Sequence, residues 1–445
     1  MRRLAVLIVL FACLAMPGTA PAATIFVIKG AGFGHGVGMS QYGAQGFAQH
    51  GWDYRRILAR YYTGTAIGTA PTKTVRVLLR SGGTPAVTHV SRAGAKRLNP
   101  AREYTARTRG NKVVLSGGGK TFRFSGSVRL RGPGGYTLLG GSAYRGAMEL
   151  RPGITAINVV SLDAYVQGVI PGEMPPSWLP EALKVQAVAA RSYALATDAG
   201  AALFDQYADT RSQVYRGMSA EQPSTNAAAR DTAGQVVTYG GAIATTYYFS
   251  SSGGRTEDVE NSFLGAAPQP YLKSVKDPFD NISPRHRWQF RFTRAGLQAK
   301  LGGLCRGRFK AIKVVKRGVS PRVIAADVVC SRGRTRTNGS TLRFRLGLYD
   351  SWLTVTRATS SKGKRSEDLS VPAVGSLLHP PTITGSFSPR PRVVSVERLD
   401  ERTGRWRLVA RGLTNRAGAY RVPLYRPGSY RASAGGVVAP TVTFR

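Results

Sequence analysis

Short apolar runs alternate with glycine-rich turns along most of the chain. Ile25–Ile28 reads as a first strand, and glycine then falls at every second position from Gly30 to Gly38. Val75–Leu79, Lys112–Leu115, Thr121–Phe124 and Val128–Leu130 alternate or run apolar between glycine clusters, with Ser116–Gly119 as a turn. Tyr144–Leu150 and Ala156–Val160 read as strands leading into a helix over Asp163–Gly168. In Val169–Tyr193 the breakers Pro171-Gly172 and Pro175-Pro176 predict a loop. A helix should follow, with Ser177 as its cap, Pro180 and Glu181 in its first turn, and Gly200 as its stop.

Farther on, Ser224–Thr232 predicts a helix closed by Gly234, and Gln235–Tyr239 and Ala242–Phe249 predict strands. A short helix at Leu297–Leu301 and strands at Ala311–Lys316 and Pro321–Val329 come next, and Leu342–Leu346 closes this region. Val393–Leu399, Trp406–Ala410, Tyr420–Leu424 and Tyr430–Ala432 alternate at the spacing of a small β-sandwich. The expected fold class is α+β: a β-rich catalytic domain with a few packed helices over residues 24–357, a linker over 358–381, and a small all-β, sandwich-like domain over 382–445. The arginine-rich tail fits wall attachment, although a solvated basic surface is the preferred reading.

Composition changes the picture through charge. With 63 Lys and Arg against 23 Asp and Glu, the 445 residues carry a formal charge of +40, which implies a polyanionic partner such as nucleic acid, anionic cell wall or a membrane face. The N-terminus discriminates among these. Arg2-Arg3, the apolar run Leu4–Met16 and the exit Ala20-Pro21-Ala22 form the pattern of a cleavable signal peptide over 1–22. No other stretch reads as a membrane span. The expectation is a secreted, wall-associated chain with no nucleic-acid partner. Cys13 leaves with the leader, and Cys305 and Cys330 then favour a disulfide over two buried thiols or a zinc site.

Taken by type alone, the candidate chemistry is modest. Glu173 is flanked by Ile170, Met174 and Trp178, and a carboxylate in such company can hold its proton near neutral pH. A solvated loop acid is the commoner outcome. His35, in the glycine run, reads first as a structural histidine. That run lacks the context of a dinucleotide fingerprint and the ending of a P-loop. The serines at 250–252 lack a nucleophile elbow, so they read as sugar-binding hydroxyls or a polar turn.

Four segments together resemble the SpoIID/LytB family of cell-wall proteins. Val169–Pro175, followed by Ala182–Arg191 and Tyr193, is similar to its V-P-x-E-M-P loop and A-L-K-x-Q-A-V-A-A-R-x-Y helix. Gly30–Ala44 is similar to G-x-G-x-G-H-G-V-G-M-S-Q-x-G-A, with Phe33 in place of a frequent tryptophan. Ser212–Gly217 resembles S-Q-V-Y-x-G, and Tyr248–Thr256 resembles Y-x-S-x-S-G-G-x-T. In many relatives the glycine-histidine segment closes the domain, whereas here it comes first. A circular permutation follows from the resemblance, and it requires the first strand to pair near the strand ending at Val355.

The resemblance implies a lytic transglycosylase with Glu173 as its catalytic acid. Lys184 and Arg191 are expected to face a glycan cleft, with His35, Gln41, Ser40, Gln213, Tyr215, Tyr248, Ser250 and Ser252 as further substrate-binding positions. The Cys/His metal site of some relatives has no counterpart here, so no metal and no cofactor is carried over. The implied partners are peptidoglycan glycan strands and, through the LytB branch, a cell-wall amidase. Simple hydrolysis would need a second carboxylate, for which Asp209 and Glu257 are candidates. The alternative reading is a non-catalytic modifier of an amidase.

Overall fold

The computed structural model describes residues 24–359 and, beyond them, 382–386, 393–400, 403–413, 419–423, 428–434, 437–438 and 441–444. The expected leader (1–22) and residues 360–381 of the expected linker lie outside the described residues. The protein is α+β and rich in strand.

Strand β1 (Thr24–Gly30) is the centre of a three-stranded antiparallel sheet. Its neighbours are β2 (Trp288–Thr293) and β3 (Leu353–Thr359), with Ile28 opposite both Phe290 and Val355. This is the pairing that a permuted order requires. Alternation sets the face: Phe26 and Ile28 are buried in a cluster with Leu297, Phe309, Leu342 and Leu353. Cys305 and Cys330, bonded to each other, lie in the same cluster. Because β3 runs through Thr359, regular structure crosses the expected boundary at 357.

Residues 74–161 supply most of two sheets. One has six strands and holds the hairpin of Lys112–Gly117 and Lys120–Ser125; the other has seven and pairs Thr74–Ser81 with Thr155–Ser161. Val87, Val113, Leu115, Leu130 and Leu150 fill a shared core. The stretch expected as one strand over Tyr144–Leu150 is two, Ser142–Arg145 and Ala147–Arg151, parted at Gly146 with φ 79°.

The largest core surrounds helices α1 (Gln41–Gln49), α2 (Leu162–Glu173) and α3 (Pro180–Ala196). The expected loop before Glu173 is in fact the end of α2. Pro171 forfeits one ladder bond, but burial of Tyr165, Val166, Val169 and Ile170 outweighs that loss, and the Met174 amide closes the last turn on the Ile170 carbonyl at 2.9 Å. The residue before helix α3, Leu179, offers no side-chain cap, so Ser177 does not cap it, and the helix ends at Ala196 rather than near Gly200. Its alanines 182, 187, 189, 190 and 194 are buried and let it pack closely. Leu342–Leu346 lies in helix α4 (Gly339–Leu346), where Leu342 and Leu346 share one buried face at i, i+4. Asn338 caps α4 through the Thr341 amide, and Gly347 ends it at φ 68°.

Two cations expected at the cleft are framework residues instead. Arg191 is fully buried; it donates to Asp163 at 2.8 Å and to the carbonyls of Gln235 and Ala229, tying α3 to its surroundings. A guanidinium can serve three partners at once, which is why arginine suits this position. Lys184 pairs with Glu181 at 3.0 Å and Asp231 at 3.5 Å near the surface.

The C-terminal segments form a five-stranded sheet and a two-stranded pair, with Val394, Val396, Val422, Tyr430 and Ala432 buried. All four strands expected there are present.

Replacing Arg191 with Ala should cost on the order of 3 kcal/mol in chemical denaturation, since it strands two carbonyls and leaves a cavity. Lys184→Ala should stay within about 1 kcal/mol. Equal losses would contradict the assignment of Arg191 to the framework.

Candidate active site

After β1 the glycine run crosses the protein in extended steps. Phe33 bridges Ser251, Val37 bridges Glu257, and Met39-Ser40 pairs in parallel with Tyr248-Phe249. Gly38 has φ 73°, and a Cβ there would stand 2.1 Å from the Tyr247 carbonyl, so no other residue fits. Ser40 caps α1 through the Gly43 amide, which sets Gln41 as its first residue. The Gln41 Nε2 donates to the Glu173 carbonyl at 3.2 Å and to the Gln186 side chain at 3.3 Å. The first segment is thereby fastened to the helix end that carries Glu173.

Asp280 fixes the same segment from behind. Its fully buried carboxylate accepts from the hydroxyls of Ser40 and Ser251 at 2.8 and 2.9 Å. The amides of Ser252 and Gly253 and the His286 ring also reach it, at 2.8, 2.9 and 3.0 Å.

Glu173 opens into a cleft of about 440 Å³, walled by Phe33, Gly34, His35, Gln41, Tyr193, Val214, Tyr247, Tyr248, Phe249 and Phe263, with Thr210, Arg211, Ser212 and Ser250 also lining it. Glu173 Oε1 accepts the Val214 amide at 2.6 Å. Gly172 makes room for this segment, since a Cβ there would lie 2.3 Å from the Val214 carbonyl. Burial pushes the Glu173 carboxyl above its ordinary range, and the Val214 amide, Gln41 and Tyr248 offset this in part. Among the described residues it is the one carboxylate lining the cleft.

The other candidate acids are engaged elsewhere. Asp209 pairs with Arg211 at 2.7 Å, and that hydrogen-bonded guanidinium holds its carboxyl below the usual range. Glu257 is fully buried, its oxygens taken by the amides of Asp258, Val319 and Ser320, the Ser320 hydroxyl and Asn261. His35 is held neutral. Its Nδ1 accepts the Val37 amide at 3.1 Å, which leaves Nε2 to donate to the Tyr248 carbonyl at 3.0 Å. Desolvation and the nearby Arg343 and Arg322 charges lower its pKa to about 3.

Of the expected substrate-binding residues, His35, Gln41, Tyr248 and Ser250 therefore line the cleft with Glu173. The others do not. Gln213 lies behind Tyr248, accepting its hydroxyl at 2.8 Å and donating to Tyr165 and the Ala190 carbonyl. Tyr215 stacks on Tyr165, with its hydroxyl on Asn158 at 2.6 Å. Ser40 and Ser252 are buried at the Asp280 network, and Lys184 and Arg191 belong to the framework described above. Tyr247, Phe249, Phe263 and Arg211 were not expected in the cleft. The aromatic run 247–249 was the available signal for the first two, whereas nothing local marked Phe263.

Residues 151–239 match the family model described as stage II sporulation protein, SpoIID. That span holds Glu173, α3 and the segment with Gln213, Val214 and Tyr215. The chain carries a SpoIID/LytB-family domain. The stage II sporulation protein D of Bacillus subtilis (strain 168) is 32% identical over 210 residues, 43% of this chain and 60% of that protein. Its namesake in Bacillus amyloliquefaciens is 32% identical over 211 residues, 43% of this chain and 59% of that protein. The amidase enhancer of Bacillus subtilis (strain 168) is 40% identical over 135 residues, 30% of this chain and 18% of that protein. The chain thus spans less than two thirds of each of these SpoIID/LytB relatives.

Asp277 is fully buried, with the Tyr61 hydroxyl and the Asp280 carboxylate as neighbours. Burial first, and then the charge of Asp280, push it up to about 7. Its folded pKa lies above the unfolded value, so the native state binds the extra proton and stability falls as pH rises from about 4 to 7. Asp277→Asn should remove this slope and be more stable than the parent at pH 8, by up to about 4 kcal/mol. Urea denaturation across pH 4–8 checks it; an unchanged slope would count against a protonated Asp277.

Proposed function

We propose that this SpoIID/LytB-family protein is a secreted lytic transglycosylase acting on peptidoglycan glycan strands, with Glu173 as acid and then base. The observation that carries this reading is a single carboxyl, raised by burial, in an aromatic cleft. A glycoside hydrolase of the two-carboxylate kind needs a second acid for its nucleophile or water, and the cleft offers none among the described residues. A transglycosylase needs only one. Glu173 gives its proton to the glycosidic oxygen as the bond from C1 to that oxygen breaks. The 6-hydroxyl oxygen of the same sugar closes on C1, and its proton passes to the carboxylate. The products are a 1,6-anhydro end and a free hydroxyl, with no water consumed and Glu173 restored. Tyr193, Tyr247, Tyr248 and Phe263 offer ring surfaces for sugar faces, and Gln41 holds the helix end in place.

Mass spectrometry of purified peptidoglycan digested with the mature protein should find anhydro-muropeptides. Glu173→Gln should make them about 10²–10⁴-fold more slowly. The variant should be at least as stable as the parent at pH 7, because a raised carboxyl pKa weakens the fold once the group ionises. Activity should fall as pH rises through the shifted Glu173 pKa, since the acid must start protonated. Reducing-end products instead would mean hydrolysis.

A second reading rests on the likeness to the amidase enhancer, 40% identical over 135 residues. In that reading the protein binds wall and stimulates an amidase. Wall binding without anhydro products, together with faster amidase turnover, would select it.

A further inference from the structure

The β-rich region after α1 carries charge of one sign. From Lys73 to Arg145 the chain has 15 Lys and Arg and a single acid, Glu103. Three of these cations stand in one row. The seven-stranded sheet ends in three short antiparallel strands, Val128–Arg131, Arg92–Ala93 and Lys96–Arg97. Their register sets Arg131 directly opposite Arg92, and Arg92 directly opposite Arg97. Leu130 and Ala93 turn into the core, so the three arginines share the outer face, and all three are exposed.

Neighbouring strands lie about 5 Å apart, so the whole row spans only about 10 Å. Like charges directly opposite one another destabilise a sheet, and nothing in the fold offsets this. None of the three side chains has an ion pair or a hydrogen bond among the described residues. Glu149, the acid nearest in the register, lies opposite Arg129 and is shared between Arg129 at 3.6 Å and Arg151 at 2.6 Å. The face stays positive after its own pairs have formed.

The outer face of the six-stranded sheet, on the far side of the shared core, makes the contrast. Arg107 and Arg123 also lie in one row there, but Val114 stands between them and keeps them about 10 Å apart. A row without a spacer is instead a linear array of planar donors, each able to take two phosphate oxygens. Its match is a flexible chain with repeated negative charge. Nucleic acid fits less well. A single strand is held by bases stacked on aromatic rings, and Phe122 and Phe124 pack toward the core instead. A duplex groove admits a helix or a two-stranded ribbon, not the face of a wider sheet.

We propose that the row Arg131–Arg92–Arg97 docks a phosphodiester polymer of the cell wall, of the alditol-phosphate type, through its phosphates. The source of the polymer rests on the wall reading above. Docking on this row would hold the protein at the wall independently of the Glu173 cleft.

The test is titration calorimetry of the mature protein with poly(glycerol phosphate) over a range of salt concentrations. A triple variant, Arg92→Gln with Arg97→Gln and Arg131→Gln, should bind about tenfold or more weakly near ~0.1 M salt. The slope of log affinity against log salt should shrink by about 2, the share of three phosphate contacts on a single-chain polyanion. Removing equal charge from the other face, by Arg107→Gln with Arg109→Gln and Arg123→Gln, should change the affinity less than about threefold. The row variant should melt no lower than the parent, because its repulsion is relieved, and this separates lost binding from lost fold. Equal losses in the two triple variants, an unmoved salt slope, or duplex DNA bound as tightly as the polymer would each overturn the docking surface. The glycan reading fails separately. Polymer binding through the row without anhydro products retains the surface and removes the transglycosylase, whereas anhydro products without polymer binding do the reverse.

Discussion

The site depends on one buried charge. Asp280 sits out of contact with solvent, and an unpaired carboxylate there would be prohibitive. It is tolerable because five donors from separate parts of the chain converge on it: Ser40, Ser251, Ser252, Gly253 and His286. That convergence locks the start of α1 to the serine strand end. With α1 so placed, Gln41 reaches the carbonyl of Glu173, and the glycine run lies along the cleft wall. Ser251 and Ser252, which look suited to sugar hydroxyls, therefore spend their hydrogen bonds inside the protein.

The cleft itself is mostly aromatic and carries little net charge. Its one cation, Arg211, is answered by Asp209, and His35 is held neutral by two backbone partners. The charge of +40 is thus not concentrated at the acid. The Glu173 carboxyl is raised because desolvation exceeds what one amide and two polar neighbours return. A field of cations around it would have had the opposite effect and driven the proton off.

Strands and turns were largely legible in the sequence, because their signals are local. Alternation located the first strand, the hairpin at Lys112–Ser125 and the four tail strands to within a few residues. Helix ends were read less well. Pro171-Gly172 argued for a loop, yet burial of the preceding turn carried α2 to Glu173. Leu342–Leu346 was given no element from its sequence, and its two leucines lie one helical turn apart on a buried face. At the end of α2, packing against distant segments outweighed local propensity.

Residue chemistry told a similar story. Motifs in the chain were sufficient to single out Glu173, His35, Gln41 and Tyr248, since each stands in a long and specific pattern. The same motifs also supplied Arg191, Lys184, Ser40, Gln213, Tyr215 and Ser252, and sequence offers no means of separating a residue that lines a cleft from one that builds it. That separation depends on which partners, often more than a hundred positions away, claim each hydrogen bond first. Type and order along the chain determined which side chains were available. Only the fold determined which remained free, because a polar group already satisfied in the interior has nothing left to offer a ligand.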